Sequence, residues 1–345
     1  MDSQIFLFLA QDGVVSGAIY ALLALALVLV FTVTRVIFVP QGEFVALGAL
    51  TLAALQSGKI PGTLWLVIVG SAIAFILELV PAIRERTPRR AARAAISYGV
   101  LPGLLVAVTW WAAPLRLALP LQGLLTLLLV VPLGPLLYRV AFQKLANGSV
   151  LVLLIVSVSA QIALSGMSLI FFGAEGSRTP AFTEGTFDVV GIPVPSQSLW
   201  IVAISASLIV VLFYFFRHNY YGKALTATAV NRTGALLMGI STDMAGTAAF
   251  TLAALIGAVS GVLIGSLTTV FYDTGFLIGL KGFVAAILGG LVSYPLAAAG
   301  AVLVGFLESY SSFWASAFKE VIVFTLIIPI LLWRSYNTSQ IEEEE

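Results

Sequence analysis

The feature that most constrains this chain is a succession of apolar runs, several of them close to the length of a membrane span. About 20 apolar residues cross the hydrocarbon core of a bilayer as an α-helix. Only 10% of the 345 residues are charged, against roughly 25% in soluble domains, and 60% are hydrophobic. The alternating pattern of a barrel strand is missing. The sequence therefore predicts an all-α polytopic membrane protein, a multi-span helical bundle.

Apolar length and helix breakers predict about ten spans, some of them short or broken. The clearer runs lie near residues 13–34, 43–57, 62–82, 95–113, 117–140, 149–172, 199–217 and 244–270. The stretch 276–334 is predicted as two glycine-interrupted pieces, near 281–292 and 296–309, and a final span near 318–334. No soluble domain stands apart from these runs, so residues 1–345 are interpreted as one transmembrane domain.

Basic residues predict the orientation of the chain. Five arginines stand in the loop 84–93: Arg84, Arg86, Arg89, Arg90 and Arg93. The positive-inside rule assigns this loop to the cytoplasm. Counting crossings from it places further basic groups inside: Arg35, Arg139 with Lys144, and Arg217 with Lys223 and Arg232. The acidic loop 173–198 and the N-terminus then lie outside the cytoplasm. The arginine loop is most simply a topogenic signal; a grip on anionic membrane lipid or on a partner's acidic surface is the alternative.

A polar stretch, GKALTATAVNRTGALLMGISTD (222–243), separates two predicted spans on the cytoplasmic side. Its apolar positions recur at helical spacing: Leu225, Ala229, Leu236 and Ile240. Asn231 is placed to cap a second short helix ending at Gly239, and Ser241 or Asp243 to cap the next span. The stretch is predicted to form one or two short amphipathic helices under the membrane.

Four polar residues in apolar surroundings are candidates for a translocation path: Gln41, Glu43, Lys281 and Glu308. Glu43 follows Pro40 and Gly42, and a carboxylate at such a place is costly unless it meets a partner or a wet cavity. For Gln41 and Glu43, an interfacial position at a helix N-terminus is an equal alternative. For Lys281 and Glu308, the alternatives are interfacial snorkelling and a structural ion pair.

Small residues indicate helix packing. Three glycines recur every fourth residue: Gly257, Gly261 and Gly265. Such a stripe lets a neighbouring helix approach closely, so packing is favoured over a role in a substrate path. The pairs Gly13 with Gly17 and Gly99 with Gly103 predict the same kind of contact.

Several motifs are absent from the sequence. It has no G-x-x-x-x-G-K-[ST] phosphate-binding loop, no cysteine, and one histidine, His218, without a second histidine or cysteine to share a metal. No polar cluster suited to membrane catalysis is evident. We therefore expect no catalytic residues, no metal site, no cofactor, no nucleic-acid partner and no ATP hydrolysis by this chain alone.

Three ordered blocks resemble the permease subunit of branched-chain amino acid ABC importers. The first is GVVSGAIYALLALALVLVFTVTRVIFVPQGEFVALGAL, residues 13–50. The second is the polar stretch 222–243, which opens with GKAL and closes with LMGISTD. The third is LKGFVAAILGGLVSYPLAAAGAVLVGFLES, residues 280–309. The resemblance covers most of the chain except roughly residues 62–116.

The resemblance implies that residues 222–240 are a coupling helix that docks on a cytoplasmic ATPase. The residues carried over to that role are Gly222, Lys223, Leu225, Arg232, Leu236 and Gly239. It also implies a second permease subunit, related or identical, two cytoplasmic ATPase subunits and a periplasmic substrate-binding protein, all at a bacterial inner membrane. Transport would follow alternating access driven by those ATPases. Branched-chain amino acids or related small amides and carboxylic acids are the expected substrates.

The chain departs from the family pattern at three places. Residues 62–116 are predicted to add a helical hairpin that carries the arginine loop. The family's Arg-Pro after the following span is replaced by YRVAFQK (138–144), and its Arg-Pro-x-Gly ending by WRSYNTSQIEEEE (333–345). These departures leave the substrate and the partner set open.

Two other functions remain as alternatives. A self-sufficient secondary transporter or channel should show inverted repeats and paired intramembrane carboxylates, but only LGALTLAAL and LGGLVSYPLAAAG are weakly alike. A membrane enzyme would need the polar catalytic cluster that the sequence lacks.

Overall fold

The computed structural model describes residues 3–85, 87–115, 117–146, 148–189 and 192–332. The first half is helical throughout: α1 (Ser3–Thr34), α2 (Gln41–Gln56), α3 (Thr63–Arg84), α4 (Pro88–Ala95), α5 (Leu101–Ala112), α6 (Leu119–Val130), α7 (Leu133–Leu137) and α8 (Val150–Phe172). An antiparallel hairpin follows, β1 (Thr186–Val189) and β2 (Ile192–Pro195). The second half is again helical: α9 (Ser196–His218), α10 (Tyr220–Val230), α11 (Arg232–Leu237), α12 (Thr242–Ile264), α13 (Thr274–Leu288), α14 (Tyr294–Trp314) and α15 (Lys319–Thr325).

Eight helical segments in the described part of the chain are long and apolar enough to cross a membrane. They are Gln4–Thr34, Thr63–Arg84, Ala91–Leu115, Leu119–Leu145, Val150–Phe172, Ser196–His218, Thr242–Ile264 and Tyr294–Trp314. Single π-helical turns, Ile96–Val100 and Tyr138–Phe142, lie within two of them. The helices α2 and α13 are shorter, with 16 and 15 residues. The prediction of an all-α bundle with some short spans is confirmed.

The sequence misplaced the helices near the C-terminus. The piece predicted near 281–292 is α13, which begins earlier, at Thr274, and ends at Leu288. It ends there because Gly290 and Leu291 adopt positive φ angles of 65° and 59°. The piece predicted near 296–309 is the full-length span α14. The final predicted span, 318–334, extends beyond residue 332 and so partly lies outside the described residues.

Helix α1 occupies the centre of the bundle, in contact with α12, α13 and α14. In its most apolar stretch, 78% of the residues are buried inside the protein. It packs closely on α14, as the pair Gly13 and Gly17 predicted: a Cβ added at Gly17 would lie 2.9 Å from the Cα of Val302. Close backbone approach of this kind is how small residues join helices in membranes.

The segment Ala91–Leu115 lies at the periphery instead, with only 6% of its most apolar stretch buried. A Cβ added at Gly99 or Gly103 would meet no atom within 4 Å in the described structure. The packing predicted for this glycine pair is therefore wrong within this chain, because no neighbouring helix covers that face. Together with α3, the segment forms a helical hairpin on the outside of the bundle.

Contacts between loops divide the molecule into two ends. At one end, Arg139 forms an ion pair with Glu78 near the end of α3, and Arg232 Nη1 donates a hydrogen bond to the carbonyl oxygen of Ala146 at 2.9 Å. At the other end, the loop 173–198 packs where α12 finishes, and Arg178 donates to the carbonyl oxygen of Ser266 at 3.0 and 3.1 Å. The basic groups thus gather opposite the acidic loop, in agreement with the orientation inferred from their charges.

Candidate functional site

A polar cluster lies inside the bundle, where α2 begins. Gln41 and Glu43 are fully buried in the first turn of α2. Gln161 of α8 donates its Nε2 hydrogen to Glu43 Oε1 at 2.5 Å, and Gln41 donates to the carbonyl oxygen of Ala253 at 3.0 Å. Glu43 is therefore buried in the protein interior, in contact with Gln161 of α8. We refer to Gln41, Glu43 and Gln161 as the central polar cluster.

Three oxygens of the central polar cluster are buried and lack a hydrogen-bond donor in the described structure: Gln41 Oε1, Glu43 Oε2 and Gln161 Oε1. Buried oxygens without donors destabilise a protein unless a water or ligand supplies one. The cluster therefore has free oxygens that can accept hydrogen bonds from a polar group in contact with it.

Glycines bring the helices around the cluster into backbone contact. A Cβ at Gly42 would overlap the carbonyl oxygen of Gly275 in α13, and one at Gly261 would overlap that of Val45 in α2. Gly257 faces Phe44 of α2, and Gly265 faces Thr179 and Ala49. The stripe Gly257, Gly261 and Gly265 accordingly lies along the contact between α12 and α2, as helix packing requires.

Lys281 and Glu308 belong to a second, separate group. Lys281 Nζ lies 2.5 Å from Glu308 Oε1 and 3.1 Å from Glu320 Oε1, and the Tyr20 hydroxyl donates to Glu308 Oε2 at 2.5 Å. No hydrogen bond or ion pair within the described ranges links this group to Glu43. Of the alternatives for Lys281 and Glu308, the geometry corresponds to a structural ion pair that joins α13, α14 and α15.

Sequence reasoning missed Gln161, Tyr20 and Glu320. Gln161 offered the clearest signal, since an amide in the middle of the apolar helix α8 must be paired inside the bundle. Tyr20 carried a weaker signal, because a tyrosine is common in membrane helices. Among the residues that the structure describes, no group of three or more histidine, aspartate or glutamate side chains is arranged to hold a metal ion.

The polar stretch predicted to lie under the membrane forms the two helices α10 and α11, called here the linker helices. Side chains cap each of them as well as the span that follows: Asn219 Oδ1 accepts from Tyr221 N, Asn231 Oδ1 from Gly234 N, and Ser241 Oγ from Met244 N. Gly239, with a φ of 82°, reverses the chain after α11. The predicted caps at Asn231 and Ser241 are confirmed.

One side of the linker helices is anchored in the bundle. Leu225 is buried against Leu29 and Val33 of α1 and Ala249 of α12. Gly222 lies against the end of α9, where a Cβ would overlap the carbonyl oxygen of Phe215. Since Arg232 also donates a hydrogen bond to the main chain at Ala146, the linker helices are held to the rest of the protein at several points.

The other side of the linker helices exposes apolar residues. Leu236 is 51% exposed, and Leu237 and Met238 are more than 80% exposed. Val230 and Tyr220 are exposed to a similar extent, and Lys223 is exposed beside them. Leu236 does not lie on the buried face of Leu225, because the break at Asn231 changes the direction of the helix.

Comparisons with known proteins address the whole chain. The high-affinity branched-chain amino acid transport system permease proteins LivH of Salmonella typhimurium and of Escherichia coli are each 28% identical, over 96% of this chain and 95% of theirs. Permease protein BraD of Pseudomonas aeruginosa is 29% identical, over 57% of this chain and 66% of its own. No solved structure matches. The family described as branched-chain amino acid transport system / permease component matches residues 9–331, and this multi-pass membrane protein belongs to that family.

Proposed function

We propose that this chain is the transmembrane subunit of an ATP-driven importer for branched-chain amino acids or related small amides and carboxylic acids. It would pair with a second permease subunit, related or identical, and receive substrate from a periplasmic binding protein. ATP would be hydrolysed on separate cytoplasmic subunits. The proposal rests on membership of the permease family, together with one structural observation, the form of the linker helices.

That observation is an apolar surface exposed on a rigidly anchored segment. Leu236, Leu237 and Met238 stand open to solvent, whereas Leu225 and Gly222 fix the same segment to α1, α9 and α12. Exposed apolar patches of this kind mark sites of protein association. A segment with one face free and the other packed on the spans suits a coupling element, because movement of a bound ATPase would pass directly into them.

The route from the linker helices to the central polar cluster is short in the structure. The chain runs from α11 directly into α12, and α12 contacts α2 along the glycine stripe that includes Gly261. Helix α2 carries Glu43, and α12 accepts the hydrogen bond of Gln41 at Ala253. A rigid-body shift of α12 would therefore alter the surroundings of Glu43, as alternating access demands.

The linker helices can be tested by two substitutions that act in different ways. Leu236→Asp places a charge on the exposed apolar surface, and Gly222→Pro disturbs the contact with α9. We expect each to abolish substrate-stimulated ATP hydrolysis and ATP-dependent uptake, with normal amounts of protein in the membrane. Leu236→Met is the matched control, since it keeps an apolar side chain of similar volume. Wild-type uptake in both test variants would remove the coupling role.

A secondary transporter or channel predicts a different outcome for the same assay. The chain alone, reconstituted in liposomes, would then move solute without ATP, and the linker variants would leave that movement unchanged.

A further inference from the structure

The arginine loop and the peripheral hairpin enclose a cavity that the importer function does not use. Its volume is about 570 Å³, and it lies between the end of α3, helix α4, the π-helical turn after it and Arg139. The side chains that matter for its chemistry are Arg89, Arg93, Arg139, Glu78, Glu85 and Tyr98. We refer to it as the hairpin cavity.

Arg89 and Arg93 place two positive charges near one another at the hairpin cavity. Arg89 and Arg93 stand four residues apart on α4, so they project from the same face and repel one another. Arg89 lies in the first turn, where the helix dipole disfavours a positive charge, whereas Arg93 lies in the last turn, where the dipole favours one. Neither forms an ion pair with any other residue that the structure describes.

Arg139 differs from these two arginines because it is already engaged. It forms an ion pair with Glu78 and donates a hydrogen bond to Gln143, so it fixes one wall of the cavity. Arg89 and Arg93 are exposed at the cavity mouth, and Tyr98 and Thr87 add hydroxyl groups to its lining. Two adjacent guanidinium groups with nearby hydroxyl donors suit the oxygens of a phosphate.

The depth of the hairpin cavity matches that of lipid headgroups. Trp65 and Arg84 mark the two ends of α3, about 28 Å apart at about 1.5 Å per residue, close to the roughly 30 Å of a hydrocarbon core. Trp111 is 73% exposed at the far end of the second arm, as in an interfacial aromatic belt. Beside the cavity, Ile83 and Val100 present exposed apolar side chains on the outer surface of the hairpin.

We propose that the hairpin cavity binds the headgroup of an anionic phospholipid. The lipid phosphate lies between the guanidinium groups of Arg89 and Arg93, and the acyl chains run along the apolar faces of α3 and α5. Basic pockets at the cytoplasmic side of transmembrane helices bind such headgroups in general. A soluble phosphate would satisfy the arginines equally, but the exposed apolar surface at Ile83 and Val100 favours a lipid.

The test compares two lipids by native mass spectrometry of the full chain purified in detergent. Phosphatidylglycerol and phosphatidylcholine of equal acyl length are titrated, with and without millimolar inorganic phosphate. The test variant carries Arg89→Gln with Arg93→Gln. The matched control carries Lys144→Gln with Arg217→Gln, which removes two exposed cations from the same end of the molecule but outside the cavity.

We expect phosphatidylglycerol to bind more tightly than phosphatidylcholine. Each arginine should contribute about fivefold, so the test variant should lose tenfold or more while the control retains its affinity. Equal binding of the two lipids, an unchanged test variant, or an equal loss in the control would overturn the proposal. Displacement of the lipid by inorganic phosphate would overturn it in favour of a soluble anion. If the double variant does not survive purification, the single variants, each expected to lose about fivefold, decide the same question.

Discussion

The centre of this protein and its peripheral hairpin place glycines and charged residues in different surroundings. In the centre, neighbouring backbone occupies the space beside glycines, as Val45 of α2 does at Gly261. Charges there are paired, as Lys281 is with Glu308. In the hairpin, Gly99 faces open space and Arg93 has no ion-pair partner among the described residues. The structural role of a glycine or a cation therefore depends on the residues that pack against it. A single sequence does not show which residues those are.

The two regions also differ in how their polar and apolar side chains are buried. The central helices carry buried polar groups, and partners on other helices offset part of the cost of burying them, as Gln161 of α8 does for Glu43. The hairpin carries exposed apolar residues that a bilayer covers at no such cost. Perturbing matched residues in the two regions should therefore give unequal effects.

The largest difference is expected for charge removal. Lys281→Met would leave Glu308 and Glu320 without their cation, and loss of one partner in a buried ion pair costs about 3 kcal/mol or more. Arg93→Met in the hairpin should stay within about 0.5 kcal/mol, as an exposed residue does. Thermal unfolding of the purified proteins, followed by size-exclusion elution, measures both. Equal midpoints for the two variants would mean that the central ion pair contributes nothing to stability.

A smaller difference is expected for added methyl groups. Gly261→Ala would force α12 away from α2 and destabilise the bundle by about 1–3 kcal/mol, the usual range for overpacking. Gly99→Ala adds a methyl group in open space and should be neutral or slightly stabilising, since alanine favours a helix over glycine. The same unfolding assay applies. Equal unfolding midpoints for the two variants would mean that α2 and α12 leave room for a methyl group at Gly261.

The smallest effect on folding is expected for a substitution of Glu43, which should instead reduce transport. Glu43→Gln keeps the shape of the side chain and a hydrogen bond to Gln161, so membrane insertion and yield should be normal. Uptake should fall by about tenfold or more, because loss of one interaction with a charged group weakens binding by about that factor. The control is Glu175→Gln, because Glu175 is exposed in the loop 173–198, away from the central polar cluster. Unchanged uptake kinetics would return Glu43 to a purely structural role.

Much of the helical architecture followed from apolar length and helix caps alone. The spans on either side of the linker helices and the caps at Asn231 and Ser241 were predictable because they depend on local chemistry. Partners distant in sequence were not predictable. Glu308 is an example, because its partners Lys281 and Tyr20 lie 27 and 288 residues away in the sequence.

The candidate site was predicted only in part, for the same reason. Glu43 stood out beside a helix break, whereas Gln161 required knowledge of which face of α8 meets α2. The spacing of Leu236 from Leu225 spans Asn231, where one helix ends and the next begins, so the two leucines do not share one face. The helical spacing of apolar residues predicts a shared face only within one continuous helix.

The most direct test of the central claim is ATP-dependent uptake by the complex that co-purifies with this chain from its native membranes. The complex is placed in liposomes with ATP and binding protein, and branched-chain amino acid uptake is compared between wild type, Leu236→Asp and Leu236→Met. The account predicts that a nucleotide-hydrolysing subunit is recovered with wild type and with Leu236→Met, and that its recovery or its stimulation by substrate is lost in Leu236→Asp. A chain that purifies alone and moves solute without ATP, unaffected by Leu236→Asp, would contradict it.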